Sequence, residues 1–183
     1  MKAPGRPALF LDRDGTLMEE RHYCSRPEEV VLIHGVRAAL EDAWQHGWAL
    51  VLVTNQSGIG RGFISLAEYR AVHEAFMRLL HPVVFDSVEM CPSAPPTEDP
   101  DRKPKPGMLL RAAQKLQIDL KRSWTVGDKA SDLEAGRAAG TRVALVHTGY
   151  GLKTKAEVSE ESMDLQGENF PEVWSKIRSA FCS

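Results

Sequence analysis

The sequence predicts an α/β fold, a doubly wound parallel sheet, and three observations carry that prediction. Short apolar runs at residues 8–11 and 49–53, and the mostly non-charged stretch at 124–127, each have the length of a buried strand. Between them lie stretches with apolar residues at helical spacing, the alternation that builds parallel sheets with helices on both faces. Each run also stops abruptly at polar or acidic residues, and strand ends are where open α/β sheets bind ligands.

The first strand, Ala-Leu-Phe-Leu at residues 8–11, gives way to Asp12-Arg13-Asp14-Gly15-Thr16. Asp12 and Asp14, one residue apart in extended chain, face roughly the same way. Gly15 lets the chain leave in a conformation that other residues resist. Residues 18–34 are polar and aperiodic, longer than a typical βα connection, and are expected to cover something. Val36, Ala39, Leu40, Ala43 and Trp44 then keep helical spacing, with Gly47 as the stop and Trp44 expected in the core. The second strand, residues 49–53, ends at Thr54-Asn55-Gln56-Ser57-Gly58. Ser65 and Glu68 form a capping box for a helix whose buried face is Leu66, Tyr69, Val72, Phe76, Leu79 and Leu80.

A weaker third strand at residues 87–90 leads into residues 91–106, whose six prolines make a stiff, non-helical loop. It ends in Arg102-Lys103-Pro104, after which Leu109, Leu110, Ala113 and Leu116 mark another helix. The fourth strand, residues 124–127, closes on Asp128-Lys129, and a helix of small residues runs from there to Gly140. Residues 142–146 are the fifth strand and 148–151 a turn. Trp174, Ile177 and Phe181 mark a closing helix after Pro171. There is no internal repeat.

At 183 residues the chain suits one domain with a real core, able to bury about 70% of the surface its unfolded form exposes; residues 1–183 are read as that single domain. The longest apolar run, residues 48–53, is too short to span a bilayer, and the N-terminal stretch lacks the apolar length of a secretory signal. A soluble cytoplasmic protein with no membrane partner is expected. Cys24, Cys91 and Cys182 are far apart with no CxxC, which points to reduced thiols. A net charge of −2 and a pI near 6.3 give no field for a polyanion, so no nucleic acid partner is expected. A monomer is favoured, though nothing in the sequence fixes the oligomeric state.

In a parallel sheet the strand ends share one edge, so Asp12, Asp14, Thr54 and Asp128 can converge there. Three carboxylates in a small space repel one another unless a cation joins them. Hard oxygen ligands with room for water and phosphate describe magnesium better than zinc. Thr54 as a hydroxyl donor and Lys103 as a point charge make a site suited to a phosphoryl group, at which a carboxylate can be the nucleophile. Arg102 and Lys103 by themselves would read as a solvated basic turn.

Taken together and in this order, Asp12-Arg13-Asp14-Gly15-Thr16, Thr54-Asn55, Arg102-Lys103-Pro104 and Gly127-Asp128-Lys129 resemble the motifs of the haloacid dehalogenase superfamily of phosphohydrolases, over about residues 8–150. The runs at 54–62 and 102–108 look like its histidinol-phosphatase-like branch. The resemblance implies a magnesium-dependent phosphatase of carbohydrate metabolism with a Rossmann-like sheet and no large cap domain. Its partner would be a small phosphate monoester, with the 7-phosphate of D-glycero-D-manno-heptose 1,7-bisphosphate expected.

The resemblance also implies roles. Asp12 would attack phosphorus, and Asp14 would protonate the leaving oxygen and later deprotonate water. Magnesium would be held by the Asp12 carboxylate, the Asp14 backbone carbonyl and Asp128. Thr54 and Lys103 would grip the phosphoryl oxygens, Asn55 and Arg102 would touch substrate, and Lys129 the phosphoryl site or a neighbouring carboxylate. Asp132, four residues after Asp128, is expected to support the site rather than ligate.

Enzymes of this branch usually carry a zinc loop with Cys and His ligands before the Arg-Lys-Pro segment. Here only Cys91 remains of that set, and one thiolate cannot make a four-ligand site, so zinc is not expected. Histidinol-phosphate phosphatase shares every catalytic motif and is the main alternative. A DNA 3'-phosphatase shares the core but is disfavoured by the acidic pI. A silent phosphate-binding protein would have no use for the proton-transferring Asp14.

Overall fold

In the computed structural model, which describes residues 5–181, six strands form one all-parallel sheet. They are β1 (Ala8–Leu11), β2 (Ala49–Asn55), β3 (Ser87–Cys91), β4 (Trp124–Gly127), β5 (Arg142–Val146) and β6 (Leu165–Gly167). The order across the sheet is β3-β2-β1-β4-β5-β6. The chain therefore builds outward from β1 on one side, then returns beside β1 and builds outward on the other. The crevice where that order reverses lies at the C-terminal ends of β1 and β4, directly before Asp12 and Asp128. In the register, Leu9 pairs with Leu50 on one side and Trp124 on the other.

Alternation along β1 sends its side chains into two layers. Leu9 and Leu11 join Val36 and Leu40 of α1 (Val36–Gln45), Val72 and Phe76 of α3 (Leu66–Leu80) and Phe170 and Trp174 of α7 (Phe170–Phe181). Ala8 and Phe10 join Met108 and Ala112 of α4 (Gly107–Leu116) and Ala135 and Ala139 of α5 (Ala130–Ala139). Burying each of the large side chains on β1 contributes roughly 1.5–3 kcal/mol. With both faces covered, a strand this short and wholly apolar can be central, and its polar continuation is left at the edge.

The elements carry the local chemistry the sequence proposes. Ser65 accepts from the Glu68 backbone N–H while the Glu68 carboxylate accepts from that of Ser65, so the capping box of α3 is complete. Gly140 ends α5 in a left-handed conformation.

Other features differ from the sequence reading. Trp44 is 56% exposed rather than in the core. It lies roughly 90° around α1 from the middle of the stripe formed by Val36, Ala39, Leu40 and Ala43, and the aromatic interior is taken by Trp48, edge-on to Trp174 at 5.4 Å. Leu66 and Leu110 are exposed for the same angular reason, and Leu79 is exposed in the last turn of α3. β2 runs on through Asn55. The short helices α2 (Ser57–Gly60) and α6 (Gly151–Glu157) and the three-residue β6 were not foreseen, and α6 begins inside the turn expected at 148–151.

Residues 18–34 close on themselves after β1 through bonds from Glu19 N to Val31 O and from Ile33 N to Leu17 O, with a 3₁₀ turn at Pro27–Glu29. Cys24 and Cys91 are free thiols; Cys182 lies outside the described residues. Among the described residues, no helix is long and apolar enough to cross a membrane.

Candidate active site

The site is assembled from four strand ends. Asp12 follows β1 and is tied to β4 by its backbone N–H, which donates to Val126 O at 3.0 Å. Its Oδ1 accepts from Lys103 Nζ at 2.7 Å, and the same ammonium donates to Val53 O at 2.8 Å and pairs with Asp132. Asp12 and Lys103 are nearly sealed, 6% and 4% exposed. Asn55 places the lysine: its amide nitrogen donates to Lys103 O at 3.0 Å and its carbonyl accepts from Lys103 N at 3.1 Å. The end of β2 thus clips the proline-rich loop so that Lys103 points at Asp12.

Asp128 follows β4 and is fully buried. Its Oδ2 accepts from Tyr150 N at 2.8 Å, and its backbone carbonyl from the Thr154 hydroxyl at 2.8 Å. Oδ1 has no hydrogen-bond partner among the described residues. Two glycines let the neighbouring chain approach this carboxylate. A Cβ on Gly15 (φ +85°) or on Gly149 (φ +57°) would lie 2.2 Å from Asp128 Oδ2, and both backbones are in the region that favours glycine. Carboxylate oxygens of Asp12, Asp128 and Asp132 all lie within 4.8 Å of one another.

This crowding changes the acids. Burial pushes Asp12 up to about 6 against the pull of Lys103, with Asp132 adding to the rise. Burial, then the charge of Asp12, pushes Asp128 up to about 8. Burial works against the charge on Lys103, but Asp12 and Asp132 outweigh it and hold the ammonium above its ordinary value. The balance at Lys129 is the same, with Asp12, Asp128 and Glu20 holding its charge. A buried carboxylate with an orphaned oxygen, raised by desolvation and by a like charge, fits a small hard divalent cation, which would relieve both costs.

Asp14 is not among the three grouped carboxylates. Its side chain accepts from Arg13 Nε and Nη2 at 3.0 and 3.1 Å and from Gln56 Nε2 at 2.9 Å. Arg13 itself is 1% exposed, with its guanidinium 5.3 Å from the centre of the Tyr69 ring. Both oxygens of Asp132 serve protein donors, Lys103 Nζ and the Lys129 backbone N–H, in keeping with a supporting place. Thr54 is buried and its hydroxyl oxygen accepts from Gln56. Lys129 Nζ lies 3.3 Å from Glu20 and 4.7 Å from the centre of the Tyr150 ring. Arg102 sits apart: its Nη1 donates to Ser93 O at 2.7 Å, against the proline-rich loop.

A cleft of about 200 Å³ lies beside these groups, lined by Asp14, Asn55, Gln56, Lys129, Tyr23 and Tyr150. Residues 18–34 do cover part of it, through Glu20, His22 and Tyr23. His22 and Tyr23 have φ of 49° and 68°, a left-handed backbone that costs free energy at non-glycine residues. Sequence reasoning had not singled out Gln56, Arg13, Glu20, Tyr23 or Tyr150. Gln56 and Arg13 stand inside the quoted motifs, whereas nothing in the sequence distinguishes the others.

A HAD-hydrolase-like family model matches residues 101–173. D-glycero-beta-D-manno-heptose-1,7-bisphosphate 7-phosphatase of Mesorhizobium japonicum is 40% identical over 174 residues, covering 86% of this chain and 80% of its own. The chain belongs to the haloacid dehalogenase-like hydrolases. It is a phosphatase of that family, a phosphoric monoester hydrolase. The Escherichia coli K12 enzyme of the same name is also 40% identical, covering 82% of this chain and 84% of its own. Among solved structures, D,D-heptose 1,7-bisphosphate phosphatase from B. bronchiseptica, complexed with magnesium and phosphate, superposes with a TM-score of 0.87 at 34% identity, covering 94% of this chain and 99% of that one. The haloacid dehalogenase-like sheet and the resemblance read from the motifs are therefore established.

Proposed function

We propose that this phosphatase transfers the phosphoryl group of a small monoester to Asp12 and then to water, and that its substrate is D-glycero-D-manno-heptose 1,7-bisphosphate, cleaved at the 7-phosphate. The observation that carries the chemistry is the pairing of Asp12 with Lys103 at 2.7 Å beside a buried Asp128 whose Oδ1 has no hydrogen-bond partner among the described residues. These would serve as nucleophile, phosphoryl-binding cation and metal ligand in one place.

In the first step a carboxylate oxygen of Asp12 bonds to phosphorus as the ester P–O bond breaks. The bonding pair leaves with the ester oxygen, which takes a proton from Asp14. In the second, water attacks the phosphorus of the aspartyl phosphate, gives one proton to Asp14, and releases phosphate and the free Asp12 carboxylate. Lys103 and the Thr54 hydroxyl hold the phosphoryl oxygens while charge shifts between them. The Asp12 carboxylate, the Asp14 backbone carbonyl and Asp128 would hold magnesium. When bound it supplies positive charge that neutralises these acids and the phosphoryl oxygens. Asn55 acts through Lys103, and Lys129 is placed by Glu20 and Tyr150 to meet a phosphoryl oxygen from the cleft side.

The names of the relatives support the substrate, and so does the shape of the site. A primary phosphate at a slim chain end can enter a cleft of about 200 Å³, leaving the ring between Tyr23 and Tyr150 at the mouth. Arg102, next in the chain to Lys103 but turned to Ser93 O, is the candidate for the distal part of the substrate, which it would meet by leaving that carbonyl. The chain is read as a single catalytic domain, monomeric and cytoplasmic, in keeping with a diffusible sugar phosphate. A phosphate-release panel with magnesium tests this reading, comparing the heptose bisphosphate, histidinol phosphate, other sugar phosphates and 3'-phosphorylated DNA. The highest kcat/KM is expected for the heptose bisphosphate; a higher value for histidinol phosphate would overturn the substrate and leave the chemistry standing.

A further inference from the structure

Gln56 stands between the two groups that act on opposite sides of the scissile bond. Its amide nitrogen donates to Asp14 Oδ2 at 2.9 Å and to Thr54 Oγ1 at 2.8 Å, which uses both hydrogens. A carboxylate can only accept, so the nitrogen and not the carbonyl oxygen of the amide must face Asp14. The residue is 7% exposed, and its backbone N–H donates to Cys91 O at 2.7 Å, anchoring it to the end of β3 while the side chain reaches the turn after β1.

Two consequences follow from those bonds. At Asp14, Oδ2 is filled by Gln56 and Arg13 Nε, whereas Oδ1 accepts only from Arg13 Nη2 and has room for a transferable proton. At Thr54, the bond from Gln56 occupies a lone pair of the hydroxyl oxygen, which leaves the hydroxyl's own hydrogen for a different acceptor. We propose that Gln56 is a positioning residue, one amide that sets the Asp14 carboxyl toward the leaving oxygen and aims the Thr54 hydroxyl at the phosphoryl oxygens. The inference rests on the reading of Asp14 as proton donor given above.

The test uses the leaving group. A sugar alkoxide is too basic to depart without a proton, whereas p-nitrophenolate departs without one, so a misaligned proton donor harms the first ester selectively. The magnesium-loaded enzyme and its Gln56→Met variant are compared by kcat/KM, which reports the step in which the ester bond breaks. Both esters should slow, because Thr54 loses its aim, and the sugar phosphate should lose roughly ten-fold or more beyond the loss for p-nitrophenyl phosphate. In an Asp14→Asn background that extra loss should vanish, because the two residues act as a unit.

Equal losses on the two esters, or an extra loss that persists in the Asp14→Asn background, would overturn the proposal. If Asp14→Asn by itself does not change the ratio between the esters, the reading of Asp14 fails and takes this proposal with it. If Asp14→Asn changes the ratio and Gln56→Met does not, the proposal alone fails. Thermal unfolding checks each variant. Should Gln56→Met not fold, Gln56→Leu, which has no donor and adds no charge beside Asp14, must give the same selective loss.

Discussion

Lys103 and Asp12 are 91 positions apart in the chain, and their side chains meet with Nζ 2.7 Å from Oδ1. Val53 O and Asp132 hold the same ammonium in place, so the hydrogen now on Asp12 is the one that can pass to a phosphoryl oxygen when substrate arrives.

Replacing Lys103 by methionine should therefore lower kcat/KM by about 10²- to 10³-fold. The loss should be the same for every ester, because each presents the same phosphoryl group. Lys103→Arg should not rescue, since a planar fork does not match three acceptors arranged around an ammonium. Steady-state kinetics on a sugar phosphate and on p-nitrophenyl phosphate check both statements, and a loss confined to one ester would contradict them.

A second prediction concerns pH and metal. Asp12 and Asp128 are raised in the folded protein from about 3.8 to about 6 and about 8. A raised acid binds its proton more tightly when folded, so the stability it contributes is fully present below about pH 4 and is lost as pH rises through those two values. In EDTA the melting temperature should carry this loss between pH 4 and 8. Magnesium, which competes with those protons, should raise the melting temperature more at pH 8 than at pH 6. A magnesium effect that does not change with pH would contradict the assignment of Asp12 and Asp128 as ligands.

The glycine pair makes a third. Gly149→Ala would put a methyl group 2.2 Å from Asp128 Oδ2 at a positive φ, so Asp128 must turn. Half-saturating magnesium should rise by roughly ten-fold or more, as measured by activity against metal concentration and by the magnesium-dependent change in melting temperature. Unchanged magnesium dependence would show that Asp128 tolerates displacement.

The proline-rich loop supplies a fourth. Asp99 gathers it: its carboxylate accepts from the Cys91 thiol at 3.5 Å, from Ser93 Oγ and from the Asp101 backbone N–H at 2.9 Å, and the bond from Ser93 holds its carboxyl below its ordinary value. The purified protein should contain less than one equivalent of zinc, and a full equivalent that resists dialysis would contradict this. If Arg102, now on Ser93 O, turns to the distal part of the substrate as proposed, Arg102→Ala should lower kcat/KM for the heptose bisphosphate more than for a small ester.

What the sequence revealed of this molecule followed short-range rules. Four apolar residues stopping at Asp12, and the short strand Trp124–Gly127 stopping at Asp128, announced strand ends, because a buried strand cannot carry an uncompensated carboxylate along its length. The fold then brought those ends together without needing any side-chain detail. Trp44 shows the limit, since helical spacing admitted it to the stripe but Trp48 and Trp174 had already filled the interior.

Side-chain direction was the other hidden quantity. Arg102 and Lys103 are adjacent in sequence, yet one turns to Ser93 and the other to Asp12, a choice made by the Asn55 clip 48 positions away. Gln56 lay in a polar run with no period, where nothing local says which neighbour an amide will meet. β6 and α6 are too short, and α6 too polar, to leave a periodic signal.

The central claim is that phosphorus passes through Asp12. Rapid quenching of the magnesium-loaded enzyme during turnover of radiolabelled heptose bisphosphate should leave label bound to the protein, released by hydroxylamine, and located on the peptide that contains Asp12. Asp12→Asn should carry none and should turn over at least 10²-fold more slowly. Full product formation with no label on the wild-type protein at any quench time, or label retained by a folded Asp12→Asn variant, would contradict the account.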